Sequence, residues 1–249
     1  MSLYIYTKER TSVQKKVVGY FSYISLTLGS LLLFWAFYPV VSFELYSRLF
    51  IQRQIITPIP SSDSALPVQF ANSVLGSYNF FSNNLRDFTQ ASLWFPTKQK
   101  ETLSTKLKVK QYFLSIPKLN IDDAKVSVGG EDLAKSLIHY LPTSLPGENG
   151  NVVVFGHSTL PQLYNTKDYK TIFTYLPSLE RGDKIIVRVE GVNYEYEVYE
   201  MFVIKPDQVS VLEQNYDASY LTLITCVPPG TYWNRLVVKA KLTRLPTEL

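Results

Sequence analysis

The stretch Leu221–Arg235, LTLITCVPPGTYWNR, holds Cys226, the only cysteine in the 249-residue chain. Its first part, Leu221–Cys226, is rich in Leu, Ile and Thr and is followed by a Pro-Pro-Gly segment. This pattern predicts a strand that ends in a turn. A second strand-like run begins at Arg235 and continues to Leu242. We therefore predict a β-hairpin that brings Cys226 and Arg235 close together at one edge of a sheet.

A cysteine at this position has two interpretations. The thiolate is the reactive form of cysteine, and a neighbouring cation lowers the thiol pKa, so Cys226 beside Arg235 suits a nucleophile. The alternative is an inert, buried side chain, which is the more common state of a free cysteine on an apolar strand. The hairpin alone does not decide between them, so the choice depends on the motifs that accompany it.

The hairpin resembles the active-site signature of the sortases, membrane-anchored cysteine transpeptidases that attach proteins to bacterial surfaces. TLITC ends at Cys226, and Arg235 follows nine residues later. Upstream, LPGENGN at 145–151 and VVVFGHS at 152–158 supply a Pro-Gly, a Gly-Asn and a strand-ending Gly-His in the order of that family. The similarity covers roughly residues 111–245. It implies a mainly β fold, an eight-stranded sortase-like β-barrel with short helices.

The spacing of apolar residues within this region is also that of an all-β domain. Short runs such as 111–116 and 151–155 are separated by turn signals, and strands do not alternate with helices. The pattern indicates an antiparallel or mixed barrel or sandwich. Short helices are predicted at 131–139 and 208–214.

The chain has two histidines, and their settings differ. His157 follows Gly156 at the end of an apolar strand. Acyl transfer by a thiol requires a proton partner, and the resemblance places the catalytic histidine here. His139 is predicted to be structural. Arg235 can stabilise the oxyanion of a tetrahedral intermediate, with a salt bridge at the rim as the alternative. Thr225 is predicted to help position the acyl oxygen of the substrate.

Neither a cofactor nor a metal site is predicted. One cysteine and two histidines without close paired spacing do not supply the four ligands of a zinc site. Glu148, Glu195 and Glu197 form no recognisable calcium-binding set. The balance of 25 basic to 21 acidic residues is too mild to indicate binding to nucleic acid. A single cysteine excludes an intramolecular disulfide.

The N-terminal region predicts a membrane anchor. No charged side chain occurs from Val17 to Phe43, and about 20 apolar residues suffice for a helix to cross a bilayer. Basic residues precede this run, so the positive-inside rule keeps the N-terminus in the cytoplasm and places the catalytic domain outside the cell. A cleaved signal peptide would have a shorter apolar core and a small-residue cleavage site, which 38–43 lacks. A buried core helix is the remaining alternative.

We predict four divisions of the chain: a cytoplasmic N-terminus at 1–16, a transmembrane signal-anchor helix at 17–43, a spacer at 44–110 and the catalytic domain at 111–245. The apolar residues of the spacer follow no strong helical or strand periodicity. Its section 72–95 combines Ser and Asn with aromatic residues and is too apolar for a plain tether. That section is predicted to form a short helix or an extension packed on the barrel.

The resemblance implies that the enzyme cleaves an LPxTG-like sorting signal through a thioester and transfers the protein to an amine. Its partners would be surface proteins bearing that C-terminal signal, an amine of a cell-wall precursor or of a protein lysine, and the membrane. One alternative is a non-catalytic peptide-binding module on the same barrel. Another is a transpeptidase for D-amino-acid crosslinks, whose usual Ser-His-Gly-Cys type cluster is absent.

The subclass within the family is left open by the sequence. No second apolar span follows Leu242, and the spacer has no Asp-Pro-aromatic motif. Both features favour a protein-anchoring sortase over one that polymerises pilins. The TLITC spelling is common in the housekeeping class, whereas the short Cys-to-Arg spacing and the His139-Tyr140 pair resemble other classes.

Overall fold

Eight strands close into one barrel in the computed structural model, which describes residues 13–51, 91, 94, 109–206 and 208–248. The strands are β1 (Gln111–Ile116), β2 (Ile121–Val128), β3 (Leu137–His139), β4 (Gly150–Phe155), β5 (Lys184–Val189), β6 (Val192–Ile204), β7 (Ser219–Val227) and β8 (Asn234–Glu248). Their order around the barrel is β1-β2-β3-β4-β7-β8-β6-β5. The predicted mainly β, eight-stranded barrel is confirmed.

The barrel is mixed rather than purely antiparallel. The pairs β2–β3 and β4–β7 are parallel, and the other neighbours are antiparallel. The closing pair joins β1 to β5, with Leu114 opposite Val187. Because β4 and β7 run in the same direction, the residues that follow Phe155 and Val227 emerge at the same end of the barrel.

The barrel interior is filled by one set of alternating side chains from each strand. In β5, for example, Ile185, Val187 and Val189 are buried, while Lys184 is exposed. Burying an aliphatic side chain of this size stabilises the fold by about 1.5–3 kcal/mol relative to leaving it in water. The alternation therefore explains why these short runs form strands of a closed sheet.

A second apolar cluster lies on the outer face of β3, β4, β6, β7 and β8. Val152 and Val154 of β4 belong to the interior core, whereas Val153 and Phe155 point the opposite way and belong to this second cluster. All six residues of β4 are consequently buried. We call the second set the outer cluster; its members are Ala91, Trp94, Leu133, Ile138, Val153, Phe155, Phe202, Ile204, Val211, Ile224, Cys226 and Val237.

The helix predicted at 131–139 is wrong. Residues 131–136 form turns and an isolated bridge, and Leu137–His139 is strand β3. β3 pairs with β2 on one side and with β4 on the other, so its backbone groups are satisfied by the sheet. Local composition does not report this pairing because it depends on distant strands. The helix predicted at 208–214 is a short 3₁₀ turn, Val209–Leu212.

The N-terminal region forms one long helix, α1 (Val13–Tyr46), followed by a π-helical turn, Ser47–Ile51. Its segment Lys16–Tyr46 is long and apolar enough to cross a membrane and has no buried residues in its most apolar window. This supports a single-pass membrane anchor. Most of the predicted spacer at 44–110, and residues 1–12 of the predicted N-terminus, lie outside the described residues.

Candidate active site

The β7–β8 hairpin places Cys226 directly opposite Arg235. The chain reverses after Val227 through a segment in which Gly230 has φ +81°, a conformation that favours glycine. A Cβ at this glycine would approach Leu160 to 2.8 Å. The predicted hairpin is therefore confirmed, and Cys226 lies in the outer cluster with 8% of its surface exposed.

His157 reaches the level of Cys226 because β4 and β7 are parallel neighbours. Phe155 pairs with Ile224, and the amide of Gly156 donates to the Ile224 carbonyl at 3.1 Å. His157 is two residues beyond Phe155, and Cys226 is two residues beyond Ile224. The register thus carries the histidine and the cysteine to the same end of adjacent strands.

Two hydrogen bonds fix the turn after β4 to the strand that carries the cysteine. The Thr225 hydroxyl donates to the Gly156 carbonyl at 2.8 Å, and the Ser158 hydroxyl donates to the Cys226 carbonyl at 2.6 Å. Gly156 is required here because a Cβ at this position would come within 2.4 Å of Phe173. The Thr225 hydroxyl is fully buried and bonded to backbone, so it orients the segment that carries His157.

Trp94, a residue of the predicted spacer, contacts the side chains of both Arg235 and His157. The Arg235 guanidinium sits 5.0 Å from the centroid of the Trp94 ring, and the His157 ring lies 5.8 Å from the same ring. Trp94 also stacks on Phe155 and is 2% exposed. Sequence reasoning missed this residue as part of the site. The sequence feature that could have indicated it is the apolar composition of residues 72–95.

Two buried side-chain nitrogens in the described part of the chain lack a hydrogen-bond partner: His157 Nε2 and Arg235 Nε. Leaving such a group unsatisfied costs about 1–3 kcal/mol, so an orphaned donor or acceptor often marks a functional site. One terminal nitrogen of Arg235 donates to the carbonyls of Tyr232 at 3.0 Å and Asn234 at 3.3 Å. Within the described ranges, no carboxylate forms an ion pair with Arg235.

The burial of the site favours the neutral form of both titratable partners. Desolvation raises the pKa of the Cys226 thiol, and the Arg235 cation opposes this shift. Desolvation also lowers the pKa of His157 to about 4, with the Asp132 carboxylate opposing it. At neutral pH the resting site therefore contains a thiol and a neutral imidazole.

His139 is held in a separate network. It is fully buried, and its Nδ1 lies 2.9 Å from the Tyr112 hydroxyl. Its Nε2 lies 3.2 Å from the Thr143 hydroxyl, and burial lowers its pKa to about 4. Both ring nitrogens thus have partners, whereas Nε2 of His157 has none. This arrangement fits the structural role that the sequence predicted for His139.

The acidic side chains considered for calcium are dispersed. Glu148 accepts from the Leu145 amide at 3.0 Å, and Glu195 pairs with Lys184 at 2.8 Å. Across the residues that the structure describes, no group of three or more His, Cys, Asp or Glu side chains could hold a metal ion.

A family model described as Sortase domain matches residues 114–243, more than half of the chain. The chain belongs to the sortase family. The matched region includes His157, Cys226 and Arg235. Sortase D of Bacillus subtilis is 28% identical to this sortase over 116 residues, covering 46% of this chain and 53% of the relative. The chain therefore spans about half the length of that curated relative.

Several solved sortase structures are also similar to this sortase. A Clostridium perfringens Sortase D5 transpeptidase is 28% identical with a TM-score of 0.46, covering 54% of this chain and 79% of that one. Sortase A from Corynebacterium diphtheriae is 28% identical with a TM-score of 0.48, covering 55% of this chain and 61% of that one.

Proposed function

We propose that this sortase is a cysteine transpeptidase in which Cys226 is the nucleophile, His157 the proton carrier and Arg235 the oxyanion donor. One observation carries this proposal. The two buried nitrogens without partners, His157 Nε2 and Arg235 Nε, belong to side chains that contact the same Trp94 ring, and Arg235 is the cross-strand neighbour of Cys226.

In the first half-reaction, the Cys226 sulfur attacks the carbonyl carbon of a threonine-like residue in an LPxTG-like sorting signal. The thiol proton passes to His157, and a C–S bond forms as the carbonyl becomes a tetrahedral oxyanion. The C–N bond then breaks, and His157 returns the proton to the departing amine. The products are a thioester on Cys226 and the free C-terminal fragment.

In the second half-reaction, an amine attacks the thioester carbonyl and His157 accepts its proton. The new C–N bond forms, the C–S bond breaks, and the thiol is regenerated. The acceptor is an amine of a cell-wall precursor or of a protein lysine. Water in the place of the amine would give hydrolysis, so the reaction outcome depends on which nucleophile reaches the thioester.

The remaining polar groups have supporting roles. Arg235 has its Nε free to donate to the oxyanion, and a buried guanidinium is a stronger donor there than in water. Thr225 was predicted to contact the acyl oxygen, and this remains a prediction. Its bond to the Gly156 carbonyl supports a positioning role, because it orients the turn that presents His157.

The substrate proteins and the orientation in the membrane belong to the same proposal. α1 anchors the chain with its N-terminus in the cytoplasm, and the barrel lies outside the cell, where surface proteins with a C-terminal sorting signal are displayed. The basic residues before Val17 support this orientation.

The experiment uses the full-length chain in nanodiscs with LPxTG-like peptides, with and without an added amine. We expect cleavage without the amine and a ligated product with it. Cys226→Ala should lower the rate by about a thousandfold or more, because the covalent route is lost. A far-UV circular dichroism spectrum like that of the parent chain would show that the variant folds.

The peptide-binding alternative predicts a different result. A non-catalytic module would bind the peptide without cleaving it, and Cys226→Ala would change nothing. A preference for D- over L-stereochemistry in the peptide would instead indicate an enzyme acting on D-amino-acid crosslinks. Either outcome would contradict the proposed function.

A further inference from the structure

Two connections leave the end of the barrel that carries Cys226, and both expose apolar side chains. One runs from the end of β4 at Phe155 to the start of β5 at Lys184, and the other joins β7 to β8. Four large apolar side chains in these connections are at least 40% exposed. We call this set the aromatic rim, after its three aromatic members; it consists of Leu163, Tyr175, Tyr232 and Trp233.

The C-terminal part of α1 contacts the same end of the barrel. A cleft of about 800 Å³ lies between them. Its lining on the helix side includes Tyr38, Phe43 and Tyr46, and on the barrel side Pro161, Tyr175 and Pro229. Tyr175 belongs to the aromatic rim, and Pro161 and Pro229 lie in the connections that carry its other members. The rim is therefore continuous with the end of the anchor helix.

The position of this cleft along α1 sets its depth relative to a membrane. The hydrocarbon core is about 30 Å thick, which a helix crosses in about 20 residues. A span that begins at Val17 leaves the hydrocarbon near Phe37, so Tyr38 to Phe43 cross the headgroup layer, which is about 5–8 Å thick. Barrel residues that share a cleft with Tyr38 and Phe43 must lie close to that depth.

We propose that the aromatic rim is seated in the outer membrane–water interface, where it contacts lipid headgroups and the upper acyl chains. Trp and Tyr are enriched at this depth because their rings are partly apolar and partly polar. Exposed apolar patches next to a membrane anchor are otherwise unfavourable in water. Trp233 is two residues from Arg235, so the catalytic end of the barrel faces the bilayer. The inference rests on α1 crossing the membrane and not on the proposed chemistry.

The test is depth-dependent quenching of tryptophan fluorescence in the full-length chain. The chain has three tryptophans, Trp35, Trp94 and Trp233, so Trp35→Phe with Trp94→Phe leaves Trp233 alone. The protein is placed in nanodiscs of phosphatidylglycerol and phosphatidylcholine brominated either near the glycerol end or near the methyl end of the acyl chain. We expect Trp233 to lose fluorescence, more with shallow than with deep bromine, and to be protected from aqueous acrylamide.

Two matched single-tryptophan variants serve as controls. Trp35 alone, on the exposed surface of α1, should be quenched by brominated lipid. Trp94 alone, buried in the outer cluster, should be quenched by neither lipid nor acrylamide. Quenching of Trp35 but not of Trp233, with Trp233 open to acrylamide, would overturn the proposal while leaving the anchor intact.

Other outcomes are equally decisive. A Trp233 protected from both quenchers would mean that protein, for example a second copy of the chain, covers the rim instead of lipid. An unquenched Trp35 would overturn the membrane-spanning helix and the seated rim together. Neither result would alter the peptide-cleavage test, so failure of this inference can be distinguished from failure of the proposed function.

Discussion

His157 and His139 are both buried histidines whose pKa is lowered to about 4, yet their ring nitrogens have different surroundings. His139 has a partner for each ring nitrogen, whereas Nε2 of His157 has none. Burial and pKa therefore do not separate the two side chains. The free nitrogen of the ring that contacts Trp94 does, because a proton carrier needs an atom that is not already committed to the fold.

Replacing each histidine by glutamine tests this difference. We expect His157→Gln to lower kcat/KM for peptide cleavage by about 10²–10⁴-fold, since the proton carrier is removed, with Tm almost unchanged. His139→Gln should lower the stability by about 1–3 kcal/mol, because it disturbs a buried hydrogen bond to Tyr112, while the folded fraction keeps its activity. Peptide kinetics and thermal unfolding measure both effects. The reverse pattern would show that His139 is the functional histidine.

The protonation of Cys226 gives a second prediction at this scale. Its pKa is raised by burial, so the thiolate fraction should grow only at more alkaline pH than for an exposed cysteine. We expect the pH midpoint for alkylation by iodoacetamide to lie above that of a cysteine-containing peptide measured in parallel. Arg235→Gln should move it further upward, because the cation that opposes the shift is removed. A midpoint below that of the peptide would contradict this account.

Among the elements, the β7–β8 hairpin was predictable and the environment of Trp94 was not. The hairpin is a local feature of the sequence. Cys226 pairs with Arg235 across it because an apolar run, a Pro-Pro-Gly turn and a second apolar run follow one another. Strand β3 was missed because three residues become a strand only when β2 and β4 flank them. The position of Trp94 depends on contacts with strands far along the chain, which no periodicity in the spacer reports.

Trp94 covers part of the outer cluster in which Cys226 lies. We expect Trp94→Ala to increase the rate of Cys226 alkylation several-fold at constant pH, because the large indole no longer limits access. Trp94→Leu, which keeps more apolar volume, should have an intermediate effect. Trp233→Ala is the matched control, since this tryptophan is exposed and lies outside the cluster. Equal alkylation rates in all variants, with circular dichroism showing that each is folded, would exclude a covering role.

At the scale of the whole molecule, the proposed reaction requires that α1 anchor the chain in the membrane and that the barrel lie outside the cell. The apolar run of α1 was evident from the sequence because length and lack of charge suffice to identify it. That α1 ends beside the end of the barrel that carries Cys226 could not be predicted, since it depends on tertiary contacts between the helix end and the loops after β4 and β7.

The orientation can be measured with an impermeant thiol reagent. Lys184→Cys in a Cys226→Ala background provides one exposed thiol at the start of β5. We expect a membrane-impermeant maleimide to label it in intact cells without permeabilisation, because the proposed orientation places the barrel outside the cell. Cys226→Ala without the added cysteine is the control for background labelling. Labelling that requires lysis of the cells would place the barrel in the cytoplasm and refute the orientation.

The most direct test of the proposed site is intact-mass spectrometry of the full-length protein after brief reaction with an LPxTG-like peptide. The account predicts a mass increase equal to the N-terminal fragment of the peptide, as its free acid, less one water, located on Cys226 and released by hydroxylamine, as a thioester requires. Cys226→Ala should show no such adduct. Peptide cleavage without any adduct on Cys226, or an adduct that persists in Cys226→Ala, would contradict the assignment of this residue as the nucleophile.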